Sequence, residues 1–150
     1  VHGDALVVAV CGVGNHDNMG GIFRNAAAFG AHAVLLDAHC CDPLYRKAIR
    51  VSVGAALRTP FVTGLDPLAM LDALEAARFS LLALSPSGGD RLSEVRPGGR
   101  AALILGAEGP GLSPDVMARC RTVAIPMAGG FDSLNVAATS AVALHQMRFG

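Results

Sequence analysis

Apolar and polar positions fall in alternating blocks along this chain. Short continuous apolar runs, bounded by glycine, proline or asparagine, are followed by stretches with apolar residues three or four apart. The runs at residues 5–11, 33–37, 61–63, 80–84, 101–105 and 122–125 read as strands of the kind buried on both faces. Between them, residues 20–29, 43–51, 66–79, 114–119 and 134–147 read as helices. Asn18 is the expected cap of the first helix, and Gly30 ends it in the left-handed position. Asp66 and Pro67 open the third, with Leu68, Leu71, Leu74 and Ala77 on one face, and residues 85–89 form a turn. Strands alternating with helices predict an α/β fold, a parallel sheet flanked by helices, in one domain over residues 1–150.

Ligand sites in such sheets lie beyond the carboxyl ends of the strands. The loops after Cys11, Leu84, Leu105 and Ile125 all open there and carry much of the glycine. Two stand out. One runs Gly106-Ala107-Glu108-Gly109-Pro110-Gly111-Leu112-Ser113, the other from Pro126 through Gly129, Gly130 and Ser133 to Asn135. Each breaks into glycine or proline and then offers polar side chains at a helix start. Glycine lets backbone approach a ligand closely, so the pair predicts a site built mainly of backbone groups.

Composition narrows the function. Twelve basic and 12 acidic residues balance, so no global field attracts nucleic acid. A local patch does exist: Arg46, Lys47, Arg50 and Arg58 stand between Asp42 and Asp66 with no acid among them. Its simpler reading is a solvated helix face. The hydrophobic fraction is 52% with no Trp, which places the core on aliphatic side chains. Cys11, Cys40, Cys41 and Cys120 include no C-x-x-C pair, and the expectation is reduced thiols in a cytoplasmic protein. His39-Cys40-Cys41-Asp42 lacks ligand spacing, so no metal is expected. No apolar stretch reaches membrane-spanning length, and the N-terminus lacks a signal-like core.

Three segments carry a resemblance. They are Asn18-x-Gly20-x-x-x-Arg24-x-x-Ala27-x-Phe29-Gly30, the run from Leu105 to Ser113, and Ile125-Pro126-Met127 followed by Ser133-Leu134-Asn135-Val136. In this order they resemble the three motifs of the SpoU (TrmH-like) RNA 2′-O-ribose methyltransferases of the SPOUT superfamily. The resemblance implies a sheet whose C-terminal segment threads a trefoil knot, which the general rule of unknotted connections does not suggest. It implies S-adenosylmethionine (AdoMet) bound bent in the knot loops, tRNA or rRNA as substrate, and a homodimer. It assigns Arg24, Asn18, Glu108, Ser133 and Asn135 to catalysis. Gly106, Ala107, Ile125, Met127, Leu134 and Ser85 fall to the cofactor, with Pro86 and Ser87 near its methionine end.

The residues keep other readings beside these. The family's arginine, here Arg24, is proposed to assist removal of the hydroxyl proton. A guanidinium is a poor base, so positioning a phosphate or stabilising a developing alkoxide is an open alternative. Asn18 and Ser133 are by themselves helix caps, and Asn135 a first-turn residue. Glu108 between glycines can organise a loop, while Ile125 and Leu134 are plain core residues on periodicity. Ala107 stands where many relatives carry Asn, and His16 where proline is frequent. Many relatives also carry an N-terminal RNA-binding domain, so this is expected to be either a minimal enzyme or the catalytic part of a longer protein. In the second case the basic patch becomes a candidate for phosphate contact. Two competing functions remain: a catalytically silent RNA-binding relative, and a dinucleotide-dependent oxidoreductase suggested by Gly12-Val13-Gly14 with Asp37.

Overall fold

Strand β1 (Ala5–Cys11) is apolar on both sides because both sides are covered: Val8, Ala9 and Val10 are fully buried. It lies in the interior of a seven-stranded sheet of the computed structural model, which describes residues 4–86, 88–107, 111–128 and 135–150. The other strands are β2 (Ala33–Asp37), β3 (Phe61–Leu65), β4 (Ser80–Leu84), β5 (Asp90–Arg91), β6 (Arg100–Gly106) and β7 (Arg121–Ala124). Their order is β3-β2-β1-β6-β4-β7-β5, and every pairing is parallel. The predicted strands are all present. The two-residue β5, too short and polar to show a pattern, was not foreseen.

Period-two alternation divides the strand residues between two cores. Leu6, Val8, Val10, Leu103 and Leu105 share a cluster with Met19, Ile22, Phe23, Ala26 and Leu144. These last belong to α1 (His16–Ala28) and α5 (Val136–Phe149). Val7, Ala9, Ala102 and Ile104 meet Met70, Leu71, Leu74 and Val116 on the opposite face. Those come from α3 (Pro67–Ala76) and α4 (Pro114–Ala118). The short helix α2 (Arg46–Val51) lies against α1.

Several boundaries differ from expectation, each for a local reason. Asn15, not Asn18, caps α1: its backbone is extended, and its side chain accepts the Asn18 N–H at 3.0 Å. Asn18 is therefore the third helical residue. Gly30 does take the left-handed position (φ +75°) after the helix. Helix α2 starts late because Asp42 Oδ1 accepts the Leu44 N–H at 2.8 Å, holding residues 42–45 in a turn. Helix α3 stops at Ala76, with Arg78 at φ +67°, and buries Met70 rather than the partly exposed Leu68. Asn135, read as a first-turn residue, is the cap of α5. No helix among the described residues is long and apolar enough to cross a membrane.

Candidate functional site

The loops after β1, β4, β6 and β7 open on one end of the sheet, and pairing sets their levels. Cys11, the last residue of β1, pairs with Gly106, the last of β6. Leu84 of β4 pairs with Val123 of β7, so Ser85 and Ile125 follow at nearly one level. Parallel strands in adjacent positions thus bring Ser85, Gly106 and Ile125 to one rim. Ser85 is half-buried, and its N–H donates to Val123 O at 3.0 Å. Ala107, Ile125 and Met127 are also half-buried. Glu108, Ser133, Leu134 and Ser87 lie outside the described residues.

Glycine is needed at this rim for close backbone approach. A Cβ on Gly106 would stand 2.7 Å from the Gly111 carbonyl carbon and 2.7 Å from Leu112 N. The Gly111 N–H donates to Ala107 O at 2.9 Å, with Gly111 at φ +64°. Gly106 thus admits the backbone of Gly111 and Leu112. Gly88 has the same role against β7: a Cβ there would lie 2.5 Å from the Val123 carbonyl carbon. Its sequence signal was only its place in a turn.

The loop after β1 is fixed by a carboxylate. Asp37, only 4% exposed at the end of β2, accepts the Gly12 N–H at 2.9 Å and the His39 N–H at 3.1 Å. The Cys41 N–H reaches Val13 O at 3.0 Å from the same side. Asp37 thereby holds the segment that delivers Asn15 and the start of α1. A lone acid ending an apolar strand is a readable signal, though its partner 25 residues away is not. Burial, with the Asp37 carboxylate second, pushes the Cys11 thiol up to about 12. Burial also leads in raising Cys40 to about 12, partly opposed by a backbone hydrogen bond at Val13. Such thiols stay protonated and make poor nucleophiles.

Helices α1 and α5 bring two of the predicted residues, Asn18 and Asn135, together at their N-terminal ends. Asn135 Oδ1 accepts the Ala137 and Ala138 N–H groups at 2.8 and 3.3 Å. Its Nδ2 is thereby directed to Asn18 Oδ1, at 2.7 Å. The Asn18 NH₂ is then a donor with no acceptor among the described residues. Close approach of the helices makes this bridge possible. A Cβ on Gly21 would lie 2.7 Å from Ala137 Cβ, and Asn25 Nδ2 donates to Ala137 O at 2.8 Å and Ser140 Oγ at 3.0 Å. Gly20 meets α2 in the same way, its absent Cβ only 2.6 Å from Ala48 O.

Arg24 is six residues beyond Asn18, roughly 9 Å along the helix axis and about 120° around it. It is exposed and has no hydrogen bond or ion pair among the described residues. Among the described residues the arrangement therefore offers a fixed amide donor, an unpaired guanidinium and an uncharged rim. Among the described residues no cluster of His, Cys, Asp or Glu could hold a metal.

Comparison with known proteins places the chain in one family. The family model described as "SpoU rRNA Methylase family" matches residues 5–145. A Mycobacterium bovis protein described as an uncharacterized tRNA/rRNA methyltransferase is 42% identical over 151 residues, covering 97% of this chain and 52% of the relative. The chain thus spans about half the length of the curated relatives it matches. The SpoU methyltransferase AviRb from Streptomyces viridochromogenes, solved in complex with AdoMet, superimposes with a TM-score of 0.90 at 31% identity, covering 97% of this chain and 60% of that one. A structure described as giving insight into the 2-OH methylation of C/U34 on tRNA superimposes at 0.82 with 27% identity, covering 95% and 96% of the two chains.

Proposed function

The chain belongs to the SpoU rRNA Methylase family and has the SPOUT fold, and from that premise we propose that it transfers a methyl group from AdoMet to a ribose 2′-hydroxyl of tRNA or rRNA. The observation that carries this reading is the Asn18–Asn135 bridge, which joins the first and third motifs at 2.7 Å. The residues at the rim suit the cofactor. Ile125, Met127 and Ala107 are half-buried and uncharged, an environment for an adenine, and Ser85 adds a polar group at the end of β4. When bound, AdoMet would supply an electrophilic methyl on a sulfonium, with S-adenosylhomocysteine as the leaving group and the hydroxyl proton passing to water.

The chain's own part is to place the ribose in line and stabilise charge on its oxygen. Asn18, held by Asn135, points an amide NH₂ at the incoming ribose or its phosphate. Arg24 binds an adjacent phosphate and stabilises the developing alkoxide. Glu108, Ser133 and Leu134 complete the site in this reading. The protein works as a homodimer, for which the exposed Val142 and Phe149 on α5 provide apolar surface.

The reading is tested in two steps. Calorimetric titration with AdoMet and S-adenosylhomocysteine should show saturable binding. Labelled methyl transferred to tRNA or rRNA should then render the adjacent phosphodiester resistant to alkaline cleavage, which needs a free 2′-hydroxyl. Label recovered on a base would overturn the ribose assignment, and no binding of either nucleoside would overturn the enzyme.

A further inference from the structure

Beside the start of α1 lies a cleft of about 620 Å3 lined by Asp42, Leu44, Tyr45, Arg46, Lys47 and Arg50. We propose that this cleft is an RNA subsite, holding the backbone phosphates and one unstacked base of the strand that flanks the target nucleotide. The inference rests on the RNA methyltransferase reading and assigns residues that the three motifs do not include.

The charges are arranged for phosphate. Arg46 and Arg50 are one helical turn apart on the exposed side of α2, and neither has an ion pair among the described residues. Lys47 is partly neutralised by Asp17 at 3.3 Å. Asp42 is the one acid in the lining, and its Oδ1 is occupied by the Leu44 N–H. Two guanidinium groups are thus left to a ligand, and their planar forks match phosphate oxygens.

The aromatic pair selects the ligand class. Tyr45 is 57% exposed, and its ring lies 4.4 Å from that of His16, tilted by 32°. One face of the phenol is covered and the ring remains open to a second planar group. Arginines alone would serve an acidic protein equally well; arginines beside a half-covered aromatic face suit single-stranded nucleic acid, where bases stack and phosphates pair. The position agrees. His16 begins α1 two residues before Asn18, and the close Gly20–Ala48 approach ties α2 to the same helix. A strand threaded through the cleft is therefore referenced to the helix that carries Asn18 and Arg24.

The experiment measures fluorescence anisotropy of a labelled oligouridylate across a salt series, with AdoMet calorimetry and thermal melting on the same samples. The double variant Arg46→Ala/Arg50→Ala should bind at least about tenfold more weakly at low salt. Its log–log salt slope should flatten by about 1.4, the loss of two phosphate contacts on a single strand. Tyr45→Ala should weaken binding about fivefold to a hundredfold with the slope kept, while Tyr45→Phe stays near wild type. Variants that retain wild-type affinity and slope while AdoMet still binds would overturn the subsite and leave the enzyme reading intact. Loss of AdoMet binding by the unaltered chain, with the RNA effects as expected, would sink the enzyme reading and not the subsite. Polyglutamate binding as tight as oligouridylate, insensitive to Tyr45→Ala, would overturn RNA as the occupant.

Discussion

Asn135 joins two functions that substitution can separate. It caps α5 through Oδ1 and holds Asn18 through Nδ2 at 2.7 Å. Asn135→Ala removes both. Loss of a cap costs about 0.5–2 kcal/mol, and loss of a hydrogen bond about 0.5–1.5 kcal/mol. Because Asn135 is exposed, water replaces part of each, and the sum is about 1–2 kcal/mol. For a chain of this size that corresponds to a fall in Tm of roughly 2–8 °C. Asn135→Ser keeps a good cap but has no donor to reach Asn18, so its melting temperature should fall by less than that of the alanine variant. Methyl transfer should nevertheless fall in both variants, because Asn18 is no longer held. Thermal unfolding followed by far-UV circular dichroism, with labelled transfer on the same preparations, separates the terms. If the serine variant melts as low as the alanine variant, or if the serine variant transfers at the wild-type rate, the division of roles is wrong.

Four further outcomes follow from the geometry. Arg24→Ala should abolish methyl transfer while calorimetry shows AdoMet binding largely kept; full activity in that variant removes Arg24 from the site. Gly20→Ala puts a Cβ 2.6 Å from Ala48 O and should cost about 1–3 kcal/mol in a urea melt; an unchanged midpoint would show that α2 yields freely. Asp37→Ala leaves the half-buried Gly12 N–H without its acceptor, while water can replace it at the exposed His39, and should cost about 1–3 kcal/mol, with Asp37→Asn losing less than half as much, since an amide oxygen can still accept. The Cys11 and Cys40 thiols, raised from 9.0 to about 12, hold their protons where unfolded thiols ionise. Their contribution to stability is therefore full below pH 9 and lost between pH 9 and about 12. Iodoacetamide at pH 9 should label both far faster in guanidinium than in the native protein, as read by mass spectrometry; equal rates would contradict their burial.

The legible part of the site was its topology. Ser85, Gly106 and Ile125 each end an apolar run, and parallel strands place such ends on one rim. Less legible was which neighbour each residue would meet. Asn15 and Asn18 are both competent caps, and the choice fell to Asn15 because the chain is still extended there. That freed Asn18 for Asn135, a partner 117 residues away. Gly106 also admits the backbone of Gly111 and Leu112 at 2.7 Å, a contact that no local pattern announces. Asp37 gave no local hint of its partners, and Tyr45 and His16 are too far apart in the chain for any periodicity to pair them.

The division has a physical basis. Alternation of apolar runs is a local property, set by side-chain period and turn residues, and it determined the strands, the parallel sheet and the two-sided core before any coordinates. The three motifs likewise identified the family from residues in order. Long-range contacts are decided by the register of strands and the approach of helices, which depend on the whole packed chain. Only the tertiary structure could decide that Gly20 and Gly21 let two helices close on α1, that an amide bridge joins α1 to α5, and that Arg46 and Arg50 flank an open aromatic face.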